Sequence, residues 1–213
     1  IVFLRVVESP HLEMMKTKTK DFKIKHSIDL PFVLFIGRFS KIKGIDVLLH
    51  AIKILKDKPE LKKICFVIMG VDFGFQNKML QMIEDFGVKD KIHVITNPSR
   101  DDVIAAYHES EFLVLPSRWE LSPLTPLEGF AFKKAVISTN VHGIPFTITN
   151  KKNSILVQNE DSQELSEAIV ELINDKEKCL EYGLSGYNLV QRECNSKSMV
   201  EKTLRMYNQI INK

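Results

Sequence analysis

Short apolar runs, each closed by a glycine, a proline or a polar residue, alternate along this sequence with segments whose apolar residues recur at helical spacing. The predicted strands are residues 32–36, 64–69, 92–95, 112–115, 135–138 and 155–157. Continuous apolar runs of this length are typical of strands that are buried on both faces. Strands that alternate with helices predict right-handed βαβ crossovers. We therefore expect an α/β fold, a Rossmann-like open parallel sheet with helices on both faces.

The helical segments lie between and after these strands. Apolar residues at helical spacing predict helices over residues 45–56, 79–86, 101–108, around 127–131, 176–190 and 198–211. Asp161 followed by Glu164 is a capping-box-like start for one more helix, which carries Leu165 and Leu172. The last helices of the chain are expected to pack on the same domain.

Composition narrows the class of protein. Of the 213 residues, 44% are hydrophobic and 27% are charged, with a net charge of +3, which is typical of a globular chain and gives no indication of nucleic acid as a partner. No apolar run reaches the roughly 20 residues that span a bilayer. The three cysteines are too widely spaced for a disulfide framework or a zinc site. We expect one domain in a reducing compartment.

Two basic residues follow the first predicted strand. Arg38 and Lys43 lie in a turn that enters the first helix, and ligands of open parallel sheets collect at such carboxyl ends of strands, beside helix N-termini. Guanidinium and ammonium groups at this place are suited to a pyrophosphate, because each charge-assisted hydrogen bond contributes about 1.5–3 kcal/mol. On spacing alone, the alternative that both are solvated surface charges is slightly favoured.

Two carboxylates follow the fourth predicted strand. Glu120 and Glu128 are separated by seven residues, and ionised carboxylates accept hydrogen bonds from sugar and ribose hydroxyls. Glu128 has an alternative role, because Thr125 and Glu128 have the spacing of a capping box, with Pro126 at the first helical position. Judged from neighbouring residues alone, the role of Glu128 in a capping box is favoured. Glu120 has no such local role, although a lone glutamate in a loop is usually solvated.

The order of these motifs resembles the C-terminal domain of group 1, or family 4, glycosyltransferases. The matching segments are residues 35–39 (FIGRF), 43–51 (KGIDVLLHA), 115–120 (LPSRWE), 123–128 (PLTPLE), 135–139 (AVIST) and 143–145 (GIP). The sequence has no GxGxxG, P-loop or GxSxG motif, which argues against a dinucleotide-binding protein, a P-loop NTPase and an α/β-hydrolase. The glycine-rich turn that the family has after the second strand is residues 70–74 (GVDFG) here. The resemblance implies one half of a GT-B fold plus C-terminal helices.

The resemblance also implies a donor site. Its candidate residues are Arg38, Lys43, Glu120, Pro123, Leu124, Thr125 and Glu128. Arg38 and Lys43 would bind the diphosphate, Glu120 would contact hydroxyls of the donor sugar, and Glu128 would contact the ribose. Arg38, Lys43 and Glu120 are the residues expected to carry catalysis.

The reaction that the resemblance implies is transfer of a hexose from a UDP- or GDP-linked sugar, with retention of anomeric configuration. It needs no cofactor and no metal ion. The acceptor, a sugar or a lipid-linked molecule, is not identified by the sequence. An N-terminal GT-B domain is expected to bind that acceptor across a cleft.

The expected organisation has three parts. Residues 1–31 are an irregular lead from an N-terminal domain outside this sequence, residues 32–175 bind the nucleotide sugar, and residues 176–213 form the C-terminal helices. The expected location is cytoplasmic, with the lysine-rich lead and the C-terminal helices able to contact the inner face of a membrane. The alternative for those scattered lysines is simple solvation.

Two other functions fit the same residues. A non-catalytic nucleotide-sugar module would bind the donor without transferring or hydrolysing it. An interaction domain that kept the fold and lost the ligand would bind nucleoside diphosphates weakly and without salt dependence.

Overall fold

The computed structural model describes residues 20–211. A six-stranded parallel sheet lies at its centre, in the order β3-β2-β1-β4-β5-β6. Its strands are β1 (Phe32–Ile36), β2 (Cys65–Gly70), β3 (Ile92–Thr96), β4 (Phe112–Leu115), β5 (Ala135–Thr139) and β6 (Ser154–Val157). All six predicted strands are confirmed, with ends within one residue of those expected.

Helices connect the strands and complete the chain. They are α1 (Lys20–Lys25), α2 (Ile45–Leu55), α3 (Gln76–Phe86), α4 (Arg100–Glu109), α5 (Thr125–Ala131), α6 (Ser162–Asn174), α7 (Lys176–Glu193) and α8 (Ser196–Ile211), with short 3-10 helices at Lys41–Lys43, Pro59–Lys62 and Lys89–Lys91. The N-terminal cap predicted for α6 is confirmed, because the Asp161 carboxylate accepts a hydrogen bond from the backbone N–H of Glu164 at 2.8 Å. Helix α3 begins earlier than predicted. The Asp72 carboxylate accepts hydrogen bonds from the backbone N–H of Gln76, the first residue of this helix, and from those of the two residues before it, which fixes the earlier start.

Helices cover both faces of the sheet, as predicted. Successive side chains of a strand point to opposite faces, and in β1 Val33 and Phe35 pack in one buried cluster while Phe32 and Leu34 pack in the other. The first cluster includes residues of α2, α3 and α6, and the second includes residues of α1, α4, α5 and α7. Because both faces are buried, the polar loops at the strand ends are where a ligand can approach the sheet.

The two last helices differ in how they contact the rest of the molecule. Helix α7 packs closely on α5, because a side chain at Gly186 would lie 2.2 Å from the ring of Phe130. Helix α8 has no buried residue. Between residues 20 and 211, no helix combines the length and apolar character needed to cross a membrane.

Helix α1 corrects the prediction of an irregular lead over residues 1–31, since residues 20–25 are helical. Tertiary contacts explain the difference. Phe22 is buried against Phe32, with ring centroids 6.0 Å apart, and Lys25 binds the Asp102 carboxylate of α4. The first 19 residues of the predicted lead, and residues 212–213, lie outside the described residues.

Asp102 joins α1 to the N-terminus of α4. Its carboxylate accepts hydrogen bonds from the Lys25 ammonium at 2.7 and 2.9 Å and from the Ser99 hydroxyl at 2.7 Å, and His26 lies 3.3 Å away. Burial alone would raise the pKa of Asp102, but the hydrogen bonds from Lys25, Ser99 and His26 outweigh burial and hold the pKa well below its usual value.

We expect Asp102→Asn to lower the free energy of unfolding at pH 7 by about 1–2 kcal/mol, because an amide replaces a charged hydrogen-bond acceptor beside a half-exposed lysine. A carboxylate with a lowered pKa contributes stability above its unfolded pKa and loses it as the pH falls. The difference between wild type and variant should therefore shrink as the pH falls below about 4. Urea denaturation at pH 7 and pH 3 measures both quantities, and an equal difference at the two pH values would contradict the assignment.

Candidate functional site

The sheet has a topological switch point between β1 and β4. The chain runs from β1 outward to β2 and β3 and then returns to place β4 on the other side of β1, so Leu34 is the register partner of both Val67 and Leu113. The connections that follow β1 and β4 leave the sheet in different directions at this point. Ligands of open α/β sheets bind in the crevice that forms there.

Backbone contacts fix the two loops that border this crevice. The loop after β1 approaches the loop after β4 so closely that a side chain at Gly44, whose φ is +67°, would lie 1.8 Å from the carbonyl oxygen of Pro116. The backbone N–H of Arg118 donates a hydrogen bond to the Ile42 carbonyl at 2.8 Å. Both loops are therefore held in place by the chain itself.

Arg118 ties the loop after β4 to the start of α2. Its guanidinium donates to both carboxylate oxygens of Asp46 at 2.7 and 2.9 Å, to Glu160 at 2.8 Å and to the Lys41 carbonyl at 2.6 Å. Burial would raise the pKa of Asp46, but the bonds from Arg118 outweigh it and lower that pKa. Arg118 is not among the candidate residues predicted from the sequence, although its position two residues before Glu120 in the motif is a signal for a role in this loop.

Lys43 and Glu120 meet in the crevice. Their side chains, 19% and 18% exposed, form an ion pair between the Lys43 ammonium and the Glu120 carboxylate. The hydroxyl of Ser117 donates to the same carboxylate at 3.1 Å. Pro123 and Thr125 line the same crevice. Four of the seven candidate donor-site residues therefore come together: Lys43, Glu120, Pro123 and Thr125.

Hydrogen bonds from the end of β5 and from the turn after it fix the loop that carries Glu120. The hydroxyl of Thr139 donates to the Ser117 carbonyl, and the backbone N–H of Gly143 donates to the Glu120 carbonyl at 2.8 Å. A side chain at Gly143 would lie 1.8 Å from the Leu121 carbonyl oxygen, so this approach requires glycine. The Glu120 carboxylate is thus presented by a loop that is fixed on two sides.

Arg38 does not line the crevice. Its exposed guanidinium lies over the ring of Phe73, 5.0 Å from the centroid. Next to Phe73, one carboxylate oxygen of Asp72 accepts hydrogen bonds from three backbone N–H groups, the last of which belongs to Gln76, where α3 begins. The negative charge of Asp72 therefore lies beside the N-terminus of α3 and reduces the attraction of that N-terminus for a phosphate.

Glu128 does not form the predicted capping box. Helix α5 begins at Thr125 itself, Leu124 precedes it, and no side chain caps it. The Glu128 carboxylate instead accepts a hydrogen bond at 2.6 Å from the hydroxyl of Tyr107, which is buried in the core. Burial and the Glu128 charge raise the pKa of Tyr107 well above its usual value, so the phenol stays protonated and donates. Neither Glu128 nor Leu124 lines the crevice.

Two further rings, those of His142 and Trp119, lie in the loops after β5 and β4. His142 lies in a turn with φ of 42°, and its ring meets that of Trp119 edge to face with centroids 6.0 Å apart. Within residues 20–211, no three histidine, cysteine, aspartate or glutamate side chains come together in an arrangement that could hold a metal ion.

A family model described as glycosyl transferases group 1 matches residues 16–188. The chain belongs to this family. An uncharacterized glycosyltransferase from Methanocaldococcus jannaschii is 33% identical over 156 residues, which are 70% of this chain and 40% of the relative. This group 1 glycosyltransferase chain therefore spans about two fifths of the length of that curated relative.

Solved structures share the fold of this group 1 glycosyltransferase. The C-terminal domain of a group 1 family protein from Francisella tularensis has a TM-score of 0.71 and 24% identity, over 85% of this chain and 94% of the other. The Anabaena protein HepE in complex with UDP-glucose has a TM-score of 0.80 and 15% identity, over 91% and 53% of the two chains. At identities this low, the structural similarity shows the fold alone. It confirms the predicted Rossmann-like half of a GT-B fold.

The Tyr107–Glu128 hydrogen bond gives this glycosyltransferase chain a test of the ribose role predicted for Glu128. We expect Tyr107→Phe to cost about 1 kcal/mol of stability, because a net hydrogen bond is lost. It should also lower nucleotide affinity several-fold, since Glu128 loses the group that orients it. Urea denaturation and calorimetric titration with UDP and GDP measure the two effects. An unchanged nucleotide affinity would mean that Glu128 does not depend on Tyr107 for binding.

Proposed function

We propose that this chain is the donor-binding half of a retaining hexosyltransferase that uses a UDP- or GDP-linked sugar without a metal ion or other cofactor. The observation that carries the proposal is the Lys43–Glu120 pair at the switch point between β1 and β4. One member can bind a phosphate and the other can bind hydroxyls, so the crevice holds both kinds of group that a sugar diphosphate requires.

Each candidate residue has a role that its chemistry supports. The Lys43 ammonium, together with Arg38 at the neighbouring loop, would bind the diphosphate. The Glu120 carboxylate would accept hydrogen bonds from sugar hydroxyls, and Glu128 would accept them from the ribose. Pro123 and Thr125 would form the wall of the crevice at the start of α5, and Leu124, which does not line the crevice, would contact the donor from its exposed position between them. Arg38 reaches the donor only if its side chain turns away from the ring of Phe73. Glu128 would keep the hydrogen bond from Tyr107 on one carboxylate oxygen and offer the other oxygen to the ribose.

The chemical step would break the bond between the anomeric carbon and the diphosphate oxygen, with the electron pair leaving on the diphosphate. Arg38 and Lys43 would neutralise the charge that develops there, which is the electrostatic stabilisation that lowers such barriers. The acceptor oxygen would form the new bond on the same face of the sugar, which retains the anomeric configuration, and its proton would pass to the departing diphosphate.

The acceptor would be supplied by another part of the enzyme. This chain spans 40% of its M. jannaschii relative and matches 53% of the HepE chain, which supports a second, acceptor-binding half outside this sequence. A sugar or lipid-linked acceptor, in the latter case with peripheral contact at the cytoplasmic face of a membrane, belongs to the same proposal. Co-sedimentation of the chain with anionic vesicles tests the membrane contact.

Calorimetric titration of the purified chain with UDP, GDP, UDP-glucose and GDP-mannose tests the proposal. We expect one nucleotide pair to bind, and Arg38→Ala/Lys43→Ala to weaken that binding roughly 100-fold or more, since two charge-assisted contacts are lost. Lys41→Ala is the matched control, because this exposed lysine lies in the same turn and its side chain forms no hydrogen bond or ion pair with residues 20–211. Equal binding by the double variant and the control would overturn the assignment of Arg38 and Lys43.

A further inference from the structure

A second cavity, of about 580 Å³, lies at the opposite edge of the sheet from the crevice. Its lining includes residues that directly precede strands, namely Pro31 before β1, Ile64 before β2 and Glu111 before β4. The end of α6 and the start of α7 close its other side. The volume lies in the range of about 300–1,000 Å³ that is typical of sites for small molecules.

The cavity has an excess of positive charge. Its lining contains Lys63, Lys133, Lys134 and Lys176. None of these lysines forms an ion pair with a carboxylate of the described residues, within the 4.0 Å that defines one. The lining also contains Glu111 and Glu109, and the Glu109 carboxylate is hydrogen-bonded to the His108 ring at 3.1 Å. Four lysines and two glutamates thus line the cavity, and although the Lys133 ammonium lies over the ring of Tyr187, this excess of positive charge favours an anionic occupant.

Lys134 is the most enclosed of these cations. Burial lowers the pKa of its ammonium, which donates a hydrogen bond to the Ser110 carbonyl at 2.7 Å. An ammonium has three N–H groups, and the part of the chain that the structure describes supplies this one acceptor. The charges of Glu111 and Glu109 offset part of the cost of burying this cation, but neither carboxylate lies within ion-pair distance of it. An anion in the cavity would supply acceptors for its remaining N–H groups.

The remaining walls are apolar. Ile64 and Leu172 form part of the lining, and Leu180 also lines the cavity although 71% of its surface is exposed. Ile64 and Leu172 are themselves buried, whereas Ile173 is only partly buried. Ile173 and Leu180 therefore carry the accessible apolar surface of the cavity. A bare inorganic ion would leave that surface in contact with water, and an apolar chain lying against it would remove it from water.

We propose that this cavity binds an anionic amphiphile, a molecule with one phosphate or carboxylate head group and one short apolar chain. The head group pairs with Lys134 and Lys176, and the chain lies against Ile173 and Leu180. The site is separate from the donor crevice because it lies at the amino ends of the strands.

Titration of the intact chain with octyl phosphate, below its micelle concentration, tests this proposal. Octyl phosphate should bind saturably and at least ten-fold more tightly than either inorganic phosphate or octanol. Lys134→Gln/Lys176→Gln should weaken it at least ten-fold. Lys62→Gln is the matched control, since this exposed lysine neighbours Lys63 and does not line the cavity. The single variant Lys176→Gln alters only an exposed side chain, so a loss of binding there does not reflect loss of the fold.

The proposal is overturned if octyl phosphate gives no saturable binding, if octanol binds as tightly, or if the double variant binds like wild type. Amide chemical shifts locate the site: changes should centre on residues 108–112 and 172–180, and changes centred on the Lys43–Glu120 crevice would contradict it. Saturating UDP or GDP should leave octyl phosphate binding unchanged. This result is expected whether or not the chain binds nucleotides. The test of this cavity is therefore independent of the test of the donor site.

Discussion

Glu120→Gln is expected to raise affinity for a bare nucleoside diphosphate several-fold and to lower affinity for its sugar conjugate about ten-fold or more. In the structure the Glu120 carboxylate pairs with the Lys43 ammonium, so a diphosphate must compete with it. Glutamine is uncharged and leaves the ammonium free for the phosphate. The sugar hydroxyls lose a charged acceptor, whose hydrogen bonds contribute roughly twice as much as neutral ones. Calorimetry with UDP and UDP-glucose, and with GDP and GDP-mannose, measures both changes.

The opposite signs of these two changes make the test specific. Glu160→Gln is the control, because Glu160 is an exposed carboxylate that binds Arg118 and does not line the crevice. It should change neither affinity by more than about two-fold, since exposed ion pairs contribute little. A parallel fall in both affinities for Glu120→Gln would indicate a damaged loop and would contradict a direct contact with the sugar.

Gly44→Ala is expected to destabilise the chain by about 3 kcal/mol or more, because two effects add. The residue has a φ of +67°, a left-handed conformation that costs an L side chain about 1–2 kcal/mol. The added methyl group would also lie 1.8 Å from the Pro116 carbonyl oxygen, which is backbone and must move. Because Lys43 directly precedes this residue, nucleotide affinity should fall as well. Urea denaturation and calorimetry report the two losses.

Gly74→Ala separates the two effects. This glycine has a φ of +85°, and a side chain there would meet no atom within 4 Å. It should therefore show only the conformational cost of about 1–2 kcal/mol. If the two variants lost equal stability, the contact between the loops after β1 and β4 would not constrain residue 44.

The sequence predicted the sheet because both faces of each strand are buried, and burial of this kind leaves a continuous apolar run such as residues 112–115. Loop positions followed from the same rule, since parallel strands present their carboxyl ends at one edge. The partners of the side chains did not follow. Lys43 and Glu120 are 77 positions apart, and only the pairing of β1 with β4 brings them together.

Two errors have one cause. The predicted capping box at Glu128 used only neighbouring residues, while the structure gives Glu128 the buried hydroxyl of Tyr107. The predicted irregular lead missed α1, whose position depends on Asp102 in a distant helix. In both cases a tertiary contact decided a structure that local spacing left open. The organisation of the chain into residues 1–31, 32–175 and 176–213, and the roles of the seven candidate site residues, stay predictions.

The central position of β1 has a consequence for the order of events during synthesis. This strand leaves the ribosome before its neighbour β4, which is separated from it along the chain by β2, β3 and their helices. Pairings between distant segments form late, because closing a long loop costs conformational entropy before the new contact contributes any stabilisation. A nascent chain therefore has Lys43 long before Glu120 can reach it, and nucleotide binding by stalled chains of increasing length should appear only after β4 and its loop have emerged.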